Sequence, residues 1–348
     1  MSGCEMSNFE FSFKKIVPFL LVGFVIIFAL AAAVGTEDII EGLSQVDKST
    51  YALAFLVQVG AIVVWLSKWK ILTMSISINV RTRRMFPILL SGIFVNTAVP
   101  SAKVGGEPLR AYMFSKLGNV SMEKSLATVM ADRAVDGIPL IAILFSSLIS
   151  VILMGNLPLY GLVLLLSATA FMIVVVIAFL YVCLRPSSAM GLSFWLIRRL
   201  RRIISKFRPV KYVERRVEEF MGDFGRGARA ILGNKRYVSS ALGLSTCYWL
   251  LAVFRMWLVF FALGYPDISL GAIGLAVTLG LVLHVVPIPG GLGVVESLYV
   301  LIFKAAGVSP GIALTAALLD RGISFWFTSL FSGAGITWSS LELSRSES

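Results

Sequence analysis

Two sets of charged residues in this 348-residue chain follow one order, in which a glutamate precedes an Asp-Arg pair by 24 or 25 residues. The sets are Glu107 with Asp132 and Arg133, and Glu296 with Asp320 and Arg321. All of these residues lie in or beside long apolar segments. An ionisable side chain near the centre of a bilayer costs at least about 2.5 to 3.5 kcal/mol on insertion scales, so its retention requires a partner or water. Because arginine offers a forked donor matched to phosphate, the chemistry we expect is the binding of an anionic group inside a membrane.

Each glutamate follows a break in an apolar run. The run from Phe86 to Val99 is interrupted at 100–106, and the run from Leu270 to Val286 is interrupted at 287–291. Both breaks contain proline and a Gly-Gly pair. Proline removes a helical hydrogen bond, and non-helical chain at membrane depth is tolerated only where it lines protein or a wet cavity. We therefore predict that each break lines a cavity.

The half-helices that follow the breaks present unpaired backbone N–H groups, which favour an anion such as a lipid phosphate. We expect the two breaks to meet deep in the membrane and to form one charged chamber. The predicted substrate-binding residues are Lys103, Gly105, Gly106, Glu107, Arg110, Asp132, Arg133, Pro289, Gly290, Gly291, Glu296, Asp320 and Arg321. A structural alternative stays open, in which each glutamate only forms an internal salt bridge with the arginine of its own Asp-Arg pair.

Neither a metal nor a cofactor is expected. His284 is the only histidine, and the three cysteines are widely spaced, which disfavours zinc sites and a disulfide framework. Asp132 and Asp136 lie one helical turn apart and could in principle bind a divalent cation, but we favour a solvated face or one paired with Arg133. The chain also lacks a Gly-x-x-x-x-Gly-Lys-Ser/Thr phosphate-binding motif.

The elements that must position these residues are membrane helices. Hydrophobic residues make up 57% of the chain and charged residues 14%, with a mean hydropathy of +0.88, which excludes an ordinary soluble domain. A bilayer crossing needs about 20 apolar residues. We predict an all-α integral membrane protein with about six full transmembrane helices plus two broken re-entrant helical segments in an inverted repeat. The six crossings are Ile16 to Val34, Tyr51 to Leu66, Ser125 to Met154, Leu159 to Leu184, Tyr237 to Leu263 and Gly311 to Trp338.

The first of these crossings resembles a signal peptide, because it follows two lysines and ends in three alanines. Its length favours an uncleaved span.

A single polytopic membrane domain covers residues 1–348, with repeat one at approximately 51–154 and repeat two at approximately 237–338. The polar stretch at 185–236 is basic and contains aromatic residues, which is typical of interfacial helices on an anionic leaflet. We do not expect nucleic-acid binding.

The basic flanks of the first hairpin predict cytoplasmic ends by the positive-inside rule. If each broken segment enters the membrane and returns to the same face, the two repeats have opposite orientation. Both termini are then cytoplasmic, in a multi-pass protein of the cell membrane.

The motifs resemble a known family. They are the run from Val99 to Arg110, the later Asp132-Arg133-x-x-Asp136, and the segment from Pro287 to Glu296 with Arg321. Together they resemble the flippase-like transmembrane domain of lysylphosphatidylglycerol synthases, over nearly the whole chain. The resemblance implies movement of a lipid between leaflets, and in the fused enzymes that lipid is an aminoacylated phospholipid. The sequence ends at Ser348 without their aminoacyl-transfer domain, so we do not expect lipid synthesis.

We predict a lipid flippase or transporter that handles an anionic or aminoacylated phospholipid or a related lipid, and that is not an enzyme. Two alternatives stay open. One is a membrane-embedded enzyme acting on a lipid phosphate, with Glu107, Asp132 or Glu296 as acid or base. The other is a non-catalytic partner of a lipid-modifying enzyme. The expected partners are membrane lipids, and a homo-oligomer or a lipid-modifying enzyme partner is left open.

Overall fold

A computed structural model describes residues 24–33, 35–98, 105–153, 159–184, 191, 199, 210–283 and 291–347. This part of the chain is helical and contains no strand, which confirms the predicted all-α class. The helices are α1 (Phe24–Ala33), α2 (Thr36–Ser44), α3 (Lys48–Met74), α4 (Thr82–Ala98), α5 (Gly106–Gly118), α6 (Met122–Leu153), α7 (Leu159–Leu184), α8 (Val210–Gly233), α9 (Lys235–Ala262), α10 (Leu270–Leu283), α11 (Val294–Ala305), α12 (Pro310–Arg321) and α13 (Thr328–Glu347). A π-helical segment, Gly322–Phe327, joins α12 to α13.

Three of the described helices, α3, α6 and α9, are long and apolar enough to cross a membrane. Shorter apolar helices occur at Phe24–Ala33, Leu165–Ala178 and Leu270–Leu281. The fold is therefore that of a helical membrane protein, and the count of six full crossings stays a prediction.

Three of the six predicted spans agree closely with the helices. The bounds of α7 match the predicted crossing, and those of α6 and α9 differ from it by a few residues. Helix α3 is longer than predicted because it continues beyond Leu66 to Met74, with Lys68 buried inside it. The predicted last crossing is interrupted by the π-helical segment directly after Arg321. Such segments insert an extra residue into a helix and occur frequently at functional sites.

Helices α3 and α9 pack against each other in antiparallel directions. Gln58 of α3 lies beside Arg255 of α9, whereas Trp65, further along α3, lies beside Tyr248, which is earlier in α9. Each of these helices is followed by a helix that ends at a break and then by a short helix that begins after it. The chain order α3–α4–α5–α6 thus recurs in α9–α10–α11–α12, and the first helices of the two series run in opposite directions.

The two series also pack against each other through their second helices, α4 and α10, each of which packs along a helix of the other repeat. Helix α13 packs along α4, and α6 packs along α10. Small residues allow both approaches: a Cβ atom on Gly335 of α13 would lie 2.4 Å from Leu90 Cβ, and one on Gly274 of α10 would lie 2.2 Å from Ser147 Oγ. Close contact through small residues is a common way for helices to associate in a membrane.

Helix α8 forms the largest described part of the basic stretch at 185–236, and it packs on α6. Its buried residues Phe224 and Ile231 contact a cluster that includes Leu72 and Ala131. One face of this helix is therefore attached to the bundle, and its predicted contact with an anionic leaflet stays a prediction. The basic run at 198–208 lies outside the described residues, except for Arg199, which is exposed.

Candidate functional site

Six ionisable residues from three helices form one buried group, which we call the first charge cluster. Its three cations and three anions balance. The members are Lys68 of α3, Glu107 and Arg110 of α5, and Asp132, Arg133 and Asp136 of α6. A neutral group of ion pairs of this kind is what a low-dielectric interior tolerates.

Glu107 occupies the centre of the first charge cluster. Its Oε1 atom accepts hydrogen bonds from Arg133 Nε at 2.8 Å and from Asn96 Nδ2 at 3.1 Å, and its Oε2 atom accepts one from Arg110 Nη1 at 3.0 Å. Both carboxylate oxygens are thus occupied by donors. Since Glu107 also lies in the first turn of α5, the helix dipole adds to its stabilisation.

The Gly-Gly pair brings the start of α5 very close to α4. A Cβ atom on Gly106 would lie 2.1 Å from the carbonyl oxygen of Gly92, so only glycine fits there. Asn96 Oδ1 accepts a hydrogen bond from the Gly106 backbone N–H at 2.8 Å. The first backbone donor of the half-helix is therefore bound to Asn96, although the sequence predicted that such donors would face a ligand.

The carboxylates of α6 are held by donors from both repeats. Asp132 Oδ2 accepts from Trp65 Nε1 at 2.8 Å and from Arg110 Nη2 at 3.2 Å. Lys68 Nζ lies 3.1 Å from Asp132 Oδ1 and 2.5 Å from Asp136 Oδ1. The Ser245 hydroxyl of α9 also donates to Asp136, at 2.5 Å.

Tryptophan rings cover the two guanidinium groups of the first charge cluster. The Arg110 guanidinium lies 4.4 Å from the centre of the Trp69 ring, and that of Arg133 lies 4.5 Å from the Trp65 ring. Cation–π contacts of this length stabilise a desolvated charge. The side chain of Arg133 is nevertheless 28% exposed, whereas the other members of the cluster are at most 10% exposed. Arg133 is therefore the point at which this cluster can be reached.

A second charge cluster is formed by two cations and two anions. Its members are Arg255 of α9, Glu296 of α11, and Asp320 and Arg321 of α12. Arg255 Nε donates to Asp320 Oδ1 at 2.8 Å, and Arg321 Nε donates to Glu296 Oε1 at 3.0 Å. All four residues are buried.

The two clusters share one plan. In each, the glutamate after the break pairs with the arginine of the Asp-Arg pair, and the aspartate pairs with a cation from the first helix of the repeat, Lys68 or Arg255. They differ at two positions. Where the first cluster has Arg110, three residues after its glutamate, the second has Tyr299, and where the first has Asp136, the second has Ser324. The first cluster therefore holds one extra cation and one extra anion.

The two clusters lie at different levels of the bundle. Gln58 of α3 contacts the second cluster through Arg255, whereas Lys68 of the same helix belongs to the first. The ten residues between them correspond to about 15 Å along a helix axis. The described charged residues thus form two clusters. The expected meeting of the two breaks in one charged chamber stays a prediction, because most residues of both breaks lie outside the described part of the chain.

The structure assigns most of the predicted site residues to these clusters. Glu107, Arg110, Asp132 and Arg133 lie in the first, and Glu296, Asp320 and Arg321 lie in the second. Gly105 and Gly106 form the start of α5, and Gly291 precedes α11. Lys103, Pro289 and Gly290 lie outside the described residues, as does His284. The glutamate–arginine pairs of the structural alternative are present in both clusters, and whether the clusters also bind a lipid stays a prediction.

Lys68 is a cluster member that the sequence did not indicate, and the same holds for the uncharged neighbours Trp65, Asn96 and Ser245. The sequence indicated Asp136 and Arg255 as candidate charges inside the membrane, but they were not among the predicted substrate-binding residues. The sequence signal for Lys68 was weak, because a lysine near the end of an apolar run is also typical of a flanking residue at the membrane surface. The described residues contain no group of three or more His, Cys, Asp or Glu side chains that could hold a metal ion. The sequence left open a divalent cation site at Asp132 and Asp136. In the structure, Lys68 lies between these two carboxylates.

The fold and these clusters define a helical membrane protein with paired charges buried in two related halves. The chain belongs to the family described as the lysylphosphatidylglycerol synthase TM region, whose model matches residues 16–332. This family associates the chain with lipid handling in a membrane.

The chain is also similar to three archaeal proteins named UPF0104 membrane protein. The one from Methanothermobacter thermautotrophicus is 31% identical over 320 residues, which cover 92% of this chain and 94% of the relative. That from Methanocaldococcus jannaschii is 27% identical, with 88% and 89% covered. That from Pyrococcus horikoshii is 27% identical, with 90% and 94% covered.

Proposed function

We propose that this protein moves a phospholipid or related lipid with an anionic or aminoacylated head group between membrane leaflets, without changing it chemically. The observation that carries this proposal is the repeated charge cluster, which is built once against α3 and once against α9, two helices that run antiparallel. Inverted repeats with broken helices at corresponding positions are the usual sequence pointer to a transport site.

The paired charges suit a site that opens and closes. In the closed state Glu107 neutralises Arg133, and Glu296 neutralises Arg321. A lipid phosphate presents the same kind of acceptor as a carboxylate, so it can replace the glutamate as the partner of the arginine. The partly exposed Arg133 is the residue at which this exchange begins. A site of this kind needs no free charge while it is empty.

The separation of the clusters supports one site on each side of the membrane midplane. Helix α3 ends at Met74, close in sequence to the basic residues Arg81, Arg83 and Arg84. By the positive-inside rule this end, and the first charge cluster with it, faces the cytoplasm. The second cluster then faces the other side of the cell membrane, and both termini are cytoplasmic.

An apolar groove on the outer side of α9 offers room for an acyl chain. Its volume is about 400 Å³, and its lining residues are Leu250, Val253, Phe254, Trp257 and Leu270. A head group held at a charge cluster leaves its acyl chains in such lipid-facing grooves.

Reconstitution into liposomes tests the proposal. Fluorescent phosphatidylglycerol and lysylphosphatidylglycerol in the inner leaflet become accessible to an impermeant quencher only if they are moved. We expect Arg133→Gln to slow this movement by about tenfold or more, because a hydrogen bond to a charged group contributes about 1.5 to 3 kcal/mol. Arg215→Gln is the matched control, since Arg215 is exposed on α8 and pairs with Glu219 at the surface.

Two results would overturn the proposal. One is a wild-type rate equal to that of protein-free liposomes for anionic, aminoacylated and zwitterionic lipids alike. The other is chemical conversion of the lipid, detected by mass spectrometry, which would establish the enzyme alternative. Lipid binding without movement would favour the non-catalytic partner.

A further inference from the structure

The central glutamates of the two clusters, Glu107 and Glu296, differ in the hydrogen bonding of one carboxylate oxygen. Both oxygens of Glu107 accept hydrogen bonds. In Glu296 only Oε1 is bound, by Arg321, and no described residue donates to Oε2, although the side chain is completely buried. A buried carboxylate oxygen without a donor is unfavourable while the group carries its charge.

The missing donor follows from the substitution of one residue between the repeats. Arg110 supplies the second cation to Glu107, whereas Tyr299 stands at the corresponding position, three residues after Glu296. Arg255 does not replace it, because its guanidinium donates to Asp320 and Gln58. The carboxylate of Glu296 is thus balanced by one arginine where that of Glu107 is balanced by two.

The surroundings of Glu296 contain few other ionisable groups. Helix α12 contributes Asp320 and Arg321, and α9 contributes Arg255. Tyr299 of α11 lies close enough to act electrostatically with all of these groups, and Tyr51 of α3 lies close enough to act with Asp320. The described residues of α10 include no ionisable side chain. No second cation therefore approaches Oε2 from the helices described around it.

We propose that Glu296 is a proton-binding site that couples lipid movement to a proton gradient. The coupling rests on the proposed function, whereas the binding of a proton does not. The proton adds to the free Oε2 atom and converts the carboxylate into a neutral carboxylic acid. The second charge cluster then changes from neutral to a net charge of +1, which favours the binding of a lipid phosphate. Loss of the proton restores the Glu296–Arg321 ion pair and releases the lipid.

Infrared difference spectroscopy of the purified protein tests proton binding directly. Acidification should produce a carboxylic acid C=O stretching band that shifts in D₂O. Other carboxyl groups contribute to this band, so we expect Glu296→Gln to lack one component that the wild type and Glu107→Gln both show. A Glu296→Gln difference spectrum equal to that of the wild type would overturn the assignment.

Two reciprocal substitutions keep Glu296 in place and so avoid dependence on one variant. Tyr299→Arg supplies the cation that the first repeat has, and it should suppress the Glu296 band. Arg110→Tyr removes that cation from the first repeat, and it should add a second titrating carboxyl group, which disappears in the double variant with Glu107→Gln. An unchanged spectrum in both variants would contradict the proposed role of the second cation.

Coupling is measured separately in proteoliposomes with and without a pH gradient. The wild type should build up an asymmetric lipid distribution only with the gradient, and Glu296→Gln should lose the response to it. If the infrared band is assigned to Glu296 but no lipid moves in any condition, the proposed function fails and proton binding stands. If lipid moves equally with and without the gradient, the coupling is wrong and the proposed function stands.

Discussion

Arg255 donates a hydrogen bond from Nη1 to Gln58 Oε1 at 2.6 Å, and this contact joins the second charge cluster to the first helix of the other repeat. Gln58 also donates to Thr328 Oγ1 at 3.0 Å, just after the π-helical segment. The Ser245 hydroxyl makes the converse connection, because it donates to Asp136 of the first cluster from the second repeat. Each cluster is therefore completed by a residue of the opposite repeat.

Replacement of Gln58 tests this connection. Gln58→Leu leaves a buried guanidinium N–H without its acceptor, and we expect the free energy of unfolding to fall by about 1 to 3 kcal/mol. Urea unfolding in detergent measures the change. Gln45→Leu is the matched control because Gln45 is exposed and bonds only within its own helix end. Equal stability of the two variants would show that Gln58 does not hold Arg255.

Lys68 should be essential to the balance of the first charge cluster. Lys68→Met leaves three buried anions opposite two cations, and removal of one partner from a buried ion pair costs about 3 to 5 kcal/mol. Lys116→Met, at an exposed lysine, should have little effect. The double variant Lys68→Met/Asp136→Asn restores the balance and should recover part of the loss. If the double variant is less stable than Lys68→Met, the cluster is not held by charge balance.

The small residues between the repeats should tolerate little added volume. Gly335→Ala would bring a Cβ atom to 2.4 Å from Leu90 Cβ and to 3.0 Å from the Pro87 carbonyl oxygen. We expect a loss of about 1 to 3 kcal/mol, which is the usual effect of overpacking. Gly243→Ala is the control, since no atom lies within 4 Å of its added Cβ. Thermal unfolding at matched detergent concentration measures the loss. Equal melting temperatures for the two variants would contradict this prediction.

Asp47 gives the start of α3 a dependence on pH. Hydrogen bonds from the side chains of Thr50 and Ser49 lower the pKa of Asp47 from 3.8 to about 2. Because the folded pKa is below the unfolded one, the stabilising effect is fully present above pH 3.8 and is lost as the pH falls through about 2. Hydrogen-exchange protection at Ser49 and Thr50 should be greater in the wild type than in Asp47→Asn down to about pH 4, and the difference should shrink as the pH falls through about 2 and vanish near about pH 1. A difference that stays constant from about pH 4 to about pH 1 would exclude this cause.

The sequence predicts the fold and the central residues of the site because both rest on local patterns. Apolar runs identified α6, α7 and α9, and the repeated order of Glu and Asp-Arg identified the glutamate–arginine pairs. Lys68 could not be assigned in this way, since its burial depends on Asp132 and Asp136, which are far from it in sequence. The π-helical segment was not predicted, because it occupies a single turn inside a long apolar run that has no clear polar face from which a shift could be detected.

The division into two clusters was also not predictable from the spacing. The spacing of Glu296 and Asp320 indicated a second site, but the level of that site in the bundle depends on the antiparallel packing of α3 and α9. This packing brings Arg255 to Gln58 and Ser245 to Asp136, and no local pattern encodes either contact.

The opposite orientation of the two repeats is tested most directly by the accessibility of cysteines at equivalent helix ends. Lys116 lies near the end of α5 and Lys304 near the end of α11, and both are exposed. In a background with Cys4, Cys183 and Cys247 replaced by serine, single cysteines at these two positions are treated with an impermeant maleimide on intact cells. Lys304→Cys should react at once, and Lys116→Cys should react only after the membrane is permeabilised. Reaction of both positions from the same side would contradict the inverted repeat and the account built on it.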